Sequence, residues 1–324
     1  WPDVKQIDFK LHARGDFPTK LIGRHSLKAW GYRLGELKGD YSDNSEAFAQ
    51  YTDEMLSYCI QDTAVTKKLY EKIVSKGFSE QALALETELH TLLLKQEEYG
   101  FPFDVKSAQS LYSTLAQRKM DIETELQDTF EPTVVELKTK TKTIPFNPAS
   151  RQQIADRLMK KGWKPEAFTD TGEPKVDETV LSSIDMPEAR LLSEYLLLNK
   201  RIGQIATGKQ AWLKMEKGGR IHGHVNHMGA VTSRCTHNNP NLAQVPSVGA
   251  EYGKDCRSLF HAPKGYSLLG ADASGLELRC LAHYMAAYDD GSYAHEVVNG
   301  DIHTKNQEAA GLPTRSNAKT FIYG

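Results

Sequence analysis

No Cys-x-x-Cys pair occurs in this chain; its four cysteines, Cys59, Cys235, Cys256 and Cys280, stand far apart. That spacing argues against a thiolate zinc site or a dithiol redox motif and suits buried or surface thiols in a reducing compartment. No apolar run approaches the roughly 18 residues of a membrane-spanning helix, and no stretch of the given sequence reads as a signal peptide. An excess of basic charge is also missing. Forty Lys and Arg face 42 Asp and Glu, a formal net charge of −2. A protein coated in basic patches is therefore disfavoured, but a local basic groove is not. Internal repeats are absent as well. What remains is ordinary globular composition: 324 residues, 40% hydrophobic and 25% charged, enough for one to three domains with a sizeable core. The chain begins at Trp1 rather than Met and stops at Gly324 just after an apolar run, so an internal piece of a longer protein is expected.

Periodicity predicts helices over 53–74, with Met55, Cys59, Leu69 and Ile73 on one stripe, and over 80–99, where Gly100 and Pro102 end the pattern. Asp104 is placed to cap a third helix running to about Phe130. The alternating stretch Lys138 to Thr143 suits an exposed strand or ribbon. Helices are predicted over 151–161 and, as one piece, over 187–215, with Gly218-Gly219 as a boundary. Beyond it the pattern changes to short strands and turns, then helices.

Three clusters carry chemistry. Tyr266 to Asp272 reads as a short apolar strand ending in a carboxylate, handing over to a helix that carries Leu278, Leu281 and Met285 on one face. A carboxylate so placed is either a helix N-cap or a ligand for a hard divalent cation such as Mg²⁺. Near the end, Arg315, Lys319 and Tyr323 recur every four residues and share a helix face, with Pro313-Thr314 as its start. Such a face is either simply solvated, or binds a nucleoside triphosphate through its cations with the ring stacking near base and sugar. Tyr58 and Asp62 likewise share one face of the 53–74 helix, a spacing also common by chance.

Read together, these segments resemble family A DNA polymerases, and in particular the replicative polymerases of short-tailed bacteriophages. Asp272-Ala-Ser-Gly-Leu-Glu277-Leu-Arg279 resembles the family's first catalytic motif. The resemblance implies that Asp272 and the backbone carbonyl of Ala273 hold two Mg²⁺ ions, in a two-metal site spaced roughly 3.5–4 Å. It implies that Glu277 excludes a ribose 2′-hydroxyl. Arg315-Ser-Asn-Ala-Lys319-Thr-Phe-Ile-Tyr323-Gly324 resembles the fingers-helix motif, and Gly300-Asp301-Ile302-His303 the segment whose His contacts the incoming phosphates. Arg315, Lys319 and His303 are thereby implied to bind the dNTP, Lys319 with a catalytic role, and Tyr323 to go with acceptance of dideoxynucleotides. Thr232-Ser-Arg234 and Pro240-Asn241-Leu242-Ala-Gln244-Val-Pro246 resemble the segment along the primer–template minor groove. Arg234, Asn241 and Gln244 are thus DNA-binding candidates, able to test acceptors that sit at equivalent places in every base pair; an ordinary loop arginine is the alternative for Arg234.

Tyr58-Cys-Ile-Gln-Asp62 resembles the third motif of DnaQ-like proofreading exonucleases, which implies a metal-binding Asp62 and a water-orienting Tyr58. The carboxylates of that family's two earlier motifs are not found, although 25–41 is also similar to the exonuclease domain of phage polymerases. The implied fold is mixed α/β: exonuclease tail over 1–95, thumb over 96–217, first part of the palm over 218–285 and start of the fingers over 286–324. The family's third palm motif, a His-Asp-Glu turn, is expected beyond Gly324. Implied partners are primer–template DNA, dNTPs and other phage replisome proteins (helicase/primase, single-strand binding protein), in the cytoplasm of an infected bacterium. A single-subunit RNA polymerase is the nearest alternative, disfavoured by Glu277; a non-catalytic DNA-binding homologue is another.

The resemblance is to a branch of phage polymerases that bind host thioredoxin through a long thumb insertion just before a Phe-Asn-Pro segment. Here Phe146-Asn147-Pro148 follows the preceding helix after about twenty residues, filled by the Lys-Thr ribbon. Thioredoxin is therefore not expected as a partner. Sizing chromatography of the two proteins should give separate peaks; a nanomolar complex would contradict this.

Overall fold

The computed structural model describes residues 4–43, 46–137 and 140–323. Two compact units are formed, 1–260 and 261–324. In the first, α1 (Val4–Ala13) and α2 (Leu27–Leu34) precede the long helices α3 (Asp53–Val74) and α4 (Glu80–Tyr99). Thr52 and Ser79 cap these two through side-chain oxygens that accept from Met55 N and Ala82 N. Strand β1 (Phe101–Pro102) leads to α5 (Val105–Thr129), whose cap Asp104 accepts from Ser107 N at 2.9 Å. Hairpin β2 (Thr133–Leu137) and β3 (Lys140–Ile144) follows, then α6 (Arg151–Lys160), α7 (Glu178–Ser183) and α8 (Pro187–Ile202).

The core of this unit lies between α5 and α8. Ala108, Leu115, Ile122 and Leu126 seal one face of α5, and Ala189, Leu192, Tyr195, Leu198 and Ile202 one face of α8. Burial drives the Tyr195 phenol up to about 12. At the far end Phe130 stacks on Phe146 at 4.7 Å, and Arg157 of α6 donates to Glu131 O and Thr133 Oγ1 at 2.6 and 2.9 Å. The base of the β2–β3 hairpin is thus anchored. The expected ribbon is present as an antiparallel pair, with Lys142 opposite Val135 and Thr143 opposite Val134; Lys138 and Thr139 lie outside the described residues.

The single helix expected over 187–215 is broken. After Ile202 the backbone widens into a π turn, Gly203–Thr207, and helix resumes only in α9 (Trp212–Met215). Glycine is the reason: Gly208 N bonds Gly203 O at 2.9 Å, and a Cβ on Gly208 would sit 2.5 Å from that oxygen. Short strands β4 (Glu216–Lys217) and β5 (Arg220–Ile221) complete a three-stranded sheet in the order β1-β5-β4, and β6 (His224–Asn226) pairs with β7 (Thr236–Asn238). Helix α4 buries no residue and is held to β6 and its flanks by polar contacts: His222 Nδ1 to Glu97 O and His224 Nδ1 to the Glu97 carboxylate, each 2.7 Å. Helix α10 (Gly253–Ser258) closes the unit.

The second unit has α11 (Leu276–Asp289), α12 (Ser292–Asn299), α13 (Ile302–Ala309) and α14 (Arg315–Tyr323). The strand expected over 266–272 is not formed. These residues run as irregular exposed chain, with Leu269 95% exposed. A strand needs a neighbour to accept its ladder, and no described segment pairs with this one. No helix among the described residues is long and apolar enough to cross a membrane.

The N-terminal part depends on one buried ion pair. Asp8 is fully buried and accepts from Arg33 Nε at 2.7 Å, Arg33 Nη2 at 2.8 Å and Gly23 N at 2.8 Å. Burial alone would raise the Asp8 carboxyl, but the Arg33 and Gly23 hydrogen bonds outweigh it and leave it below the usual carboxylate value. Its contribution is therefore full above the ordinary Asp range and fades as pH falls through the depressed value. Asp8→Asn leaves Arg33 buried without its counter-charge, so thermal unfolding at neutral pH should show a loss of roughly 3–5 kcal/mol. An unchanged midpoint would contradict this account.

Candidate active site and nucleic-acid interface

In the second unit Asp301 caps α13, accepting from His303 N at 3.2 Å, Thr304 N at 3.4 Å and Thr304 Oγ1 at 2.9 Å. Arg315, the first residue of α14, donates to the same carboxylate through Nε at 2.9 Å and Nη2 at 3.0 Å. The arginine beside it, then the threonine, hold the Asp301 carboxyl far below the usual range. The pair is half-exposed, so solvent screens it. Its consequence is geometric: two adjacent helices bring Arg315 next to the α13 turn that carries His303. Lys319 and Tyr323 lie one and two turns further along α14; their side chains are outside the described residues. The role of Asp301 was not anticipated, though an Asp directly before an amphipathic turn is an N-cap signal.

Asp272 and Ala273 lie on the exposed segment before α11, and Glu277 is the second residue of that helix, also exposed. No hydrogen bond or ion pair among the described residues joins Asp272 to Arg315. Nor does any group of three or more His, Cys, Asp or Glu able to share a metal occur among them. Asp272 and the Ala273 carbonyl are hard oxygen donors, which fits Mg²⁺ in kind; that cation takes one or two carboxylates and completes its shell with phosphate and water.

In the first unit, Arg234 is exposed on the turn between β6 and β7, where Ala230 N bonds Arg234 O at 3.1 Å. Asn241 is half-buried, with Oδ1 buried and without a hydrogen-bond partner among the described residues; Gln244 is exposed. The turn is closed by Gln244 N to Asn241 O at 3.3 Å.

Tyr58 and Asp62 do share a face of α3. Tyr58 is buried against Tyr41 and Phe48, at ring distances of 5.5 and 6.1 Å. Lys38 Nζ donates to Asp62 Oδ2 at 2.6 Å and sits 4.6 Å over the Tyr58 ring. Burial pulls the Lys38 ammonium down, but Asp62 and Tyr58 together raise it above its usual value. The carboxylate expected to bind metal is therefore neutralised by a lysine, which the helical spacing alone could not reveal. A cavity of about 440 Å³ next to this pair is lined by Asp40, Asp53, Glu54 and Tyr58.

Comparison with known proteins follows the same lines. The family described as DNA polymerase family A matches residues 114–324. The DNA-directed DNA polymerase of Enterobacteria phage T3 is 40% identical, over 99% of this chain and 61% of its own length. That of Escherichia phage T7 is 39% identical with the same coverage. DNA polymerase I of Chloroflexus aurantiacus is 29% identical over 86% of this chain and 30% of its own. The chain thus spans about three fifths of the phage relatives it matches. Among solved structures, the POL domain of Pol1 from M. smegmatis, in complex with DNA primer-template and dNTP, shares the fold at a TM-score of 0.60 and 20% identity, covering 93% of this chain and 50% of that one. With a family match over well more than half of its length and the motif residues of α11, α13 and α14 in the expected order, the chain belongs to DNA polymerase family A.

Proposed function

We propose that this chain is part of a phage replicative DNA polymerase that transfers nucleotides from dNTPs to a primer 3′-hydroxyl. The observation that carries the reading is the Arg315–Asp301 pair, which docks the start of α14 against the cap of α13, the turn on which His303 lies. Two donors on adjacent helix starts suit a triphosphate, whose oxygens would replace or share the Asp301 carboxylate as acceptor. Lys319, one turn on, would add charge toward the leaving pyrophosphate. Asp272 and the Ala273 carbonyl would hold Mg²⁺, which when bound lowers the pKa of the nucleophile and steadies the leaving group. Glu277 would occupy the space a ribose 2′-hydroxyl needs, rejecting ribonucleotides by repulsion. Arg234, Asn241 and Gln244 would line the minor groove. Residues 1–95 are assigned to an exonuclease domain, 96–217 to the thumb, 218–285 to the palm and 286–324 to the fingers. Asp62 and Tyr58 belong to the proofreading site, where Lys38 must yield Asp62 before a metal can bind. Primer–template DNA, dNTPs and other proteins of the phage replisome are the partners of the reading, which acts in the infected host cell.

Two experiments test it. Fluorescence anisotropy should detect primer–template binding by the 324-residue chain. Arg234→Ala should weaken that binding about tenfold or more, equally across sequences, as loss of a charged hydrogen bond predicts; a sequence-dependent or absent effect counts against the interface. Two-metal catalysis needs more carboxylates than the described residues gather, so the chain alone should neither extend primers nor degrade them in Mg²⁺. Template-directed incorporation by the isolated chain would refute that part of the proposal.

A further inference from the structure

The turn that carries Asn241 and Gln244 is held from outside at three points. Gln204, inside the π turn after α8, donates from Nε2 to the Gln244 carbonyl at 3.2 Å. Its other end is fixed too: Gln204 Oε1 accepts from Arg201 Nη1 at 3.2 Å. A guanidinium only donates, so it orients the amide with its oxygen toward Arg201 and its NH₂ toward Gln244. Arg201 is itself buried and reaches Glu251 O through Nε at 3.4 Å. Further along, Gln210 and Asn239 bond reciprocally: Gln210 Nε2 to Asn239 Oδ1 at 2.7 Å and Asn239 N to Gln210 Oε1 at 3.1 Å. Arg257 of α10 donates to Pro246 O at 2.8 Å.

These contacts share a pattern. The three anchors hold Asn239, Gln244 and Pro246 at atoms other than the side chains of Asn241 and Gln244. The Gln244 amide is left exposed, and two of the three anchors come from the interrupted helix. A continuous helix over 187–215 would turn residue 204 by the ordinary 100° per residue; the π turn re-aims it. The close approach of Gly208 to Gly203 O is what permits that turn.

From this geometry we infer that Gln204 and Gln210 are positioning residues that fix the height and angle of the Asn241–Gln244 turn, and so set how strictly it tests the geometry of the primer-terminal pair. The inference rests on the reading of that turn as a minor-groove interface. Each side chain acts through the turn and touches no substrate. The path is short: π turn, Gln204 amide, Gln244 main chain, Gln244 side chain.

The test uses the 324-residue chain and a primer–template duplex with a matched or mismatched terminus. Gln204→Glu keeps the size and the Arg201 contact but sets an oxygen against the Gln244 carbonyl. It should raise amide exchange at 241–246 about tenfold and raise Kd for the matched duplex roughly three- to tenfold, as loss of one hydrogen bond predicts. The matched-to-mismatched Kd ratio should shrink by a similar factor, with the melting midpoint unchanged. Gln210→Glu, on an exposed side chain, should act in the same direction and serves if Gln204→Glu folds poorly. Gln244→Ala separates the two ideas. If Gln244→Ala weakens binding while both glutamate variants keep the wild-type exchange and Kd ratio, the positioning inference is overturned and the interface stands. If Gln244→Ala leaves binding unchanged, the interface reading itself fails, and the inference with it.

Discussion

Ala108, Leu115 and Ile122 recur every seven residues along α5, and all three are sealed from water against α8. The rest of the first unit depends on this seam. Its closed face seats α8, and with it the π turn that carries Gln204. The Phe130–Phe146 stack at its far end fixes the base of the β2–β3 hairpin. Each fully buried leucine or isoleucine on the seam is worth about 1.5–3 kcal/mol of transfer free energy, so this apolar stripe outweighs the exposed ion pairs around it, such as Arg118 with Glu194.

Charged contacts do different work in different places. Arg33 and Asp8 form a closed, buried pair whose function is structural. Arg315 with Asp301 and Lys38 with Asp62 sit nearer solvent, at positions that the family resemblance assigns to substrate or metal. In each, the group expected to meet a ligand already has one partner, although Asp62 Oδ1 is buried without a hydrogen-bond partner among the described residues. Ligand binding at such sites is an exchange of partners, and its net gain is smaller than the number of contacts suggests. At Arg315–Asp301 exposure keeps the exchange accessible, because a half-solvated pair is only weakly stabilised; the Lys38–Asp62 pair is more closed.

Much of this was legible from residue order. The extents of α3, α4 and α5, the Asp104 cap and the Gly100 stop are local signals, and each appears at the predicted place; the stripe expected on α3 does not, because Tyr58 and Val65 are its buried residues and Cys59 is exposed. The Lys-Thr alternation gave a hairpin for the same reason. Local patterning failed where a distant partner decides. Residues 266–272 have the composition of a strand but find no ladder among the described residues. The stretch 187–215 has helical periodicity throughout, yet Gly208, where a Cβ would meet Gly203 O, allows a wider turn that periodicity cannot see. In the candidate site, the order of motifs supplied the residue set that is proposed. The carboxylate that organises Arg315 and the lysine that covers Asp62 emerged only from packing, since neither shares a spacing with its partner.

The central claim is that the cap of α13 and the start of α14 grip a triphosphate. Photo-crosslinking with an azido-dNTP in Mg²⁺, followed by peptide mapping, addresses it most directly. Labelling should fall within 301–323, be displaced by unmodified dNTPs and diminish in Arg315→Ala. Labelling spread over the α5–α8 unit, or indifferent to both competitor and substitution, would contradict the account.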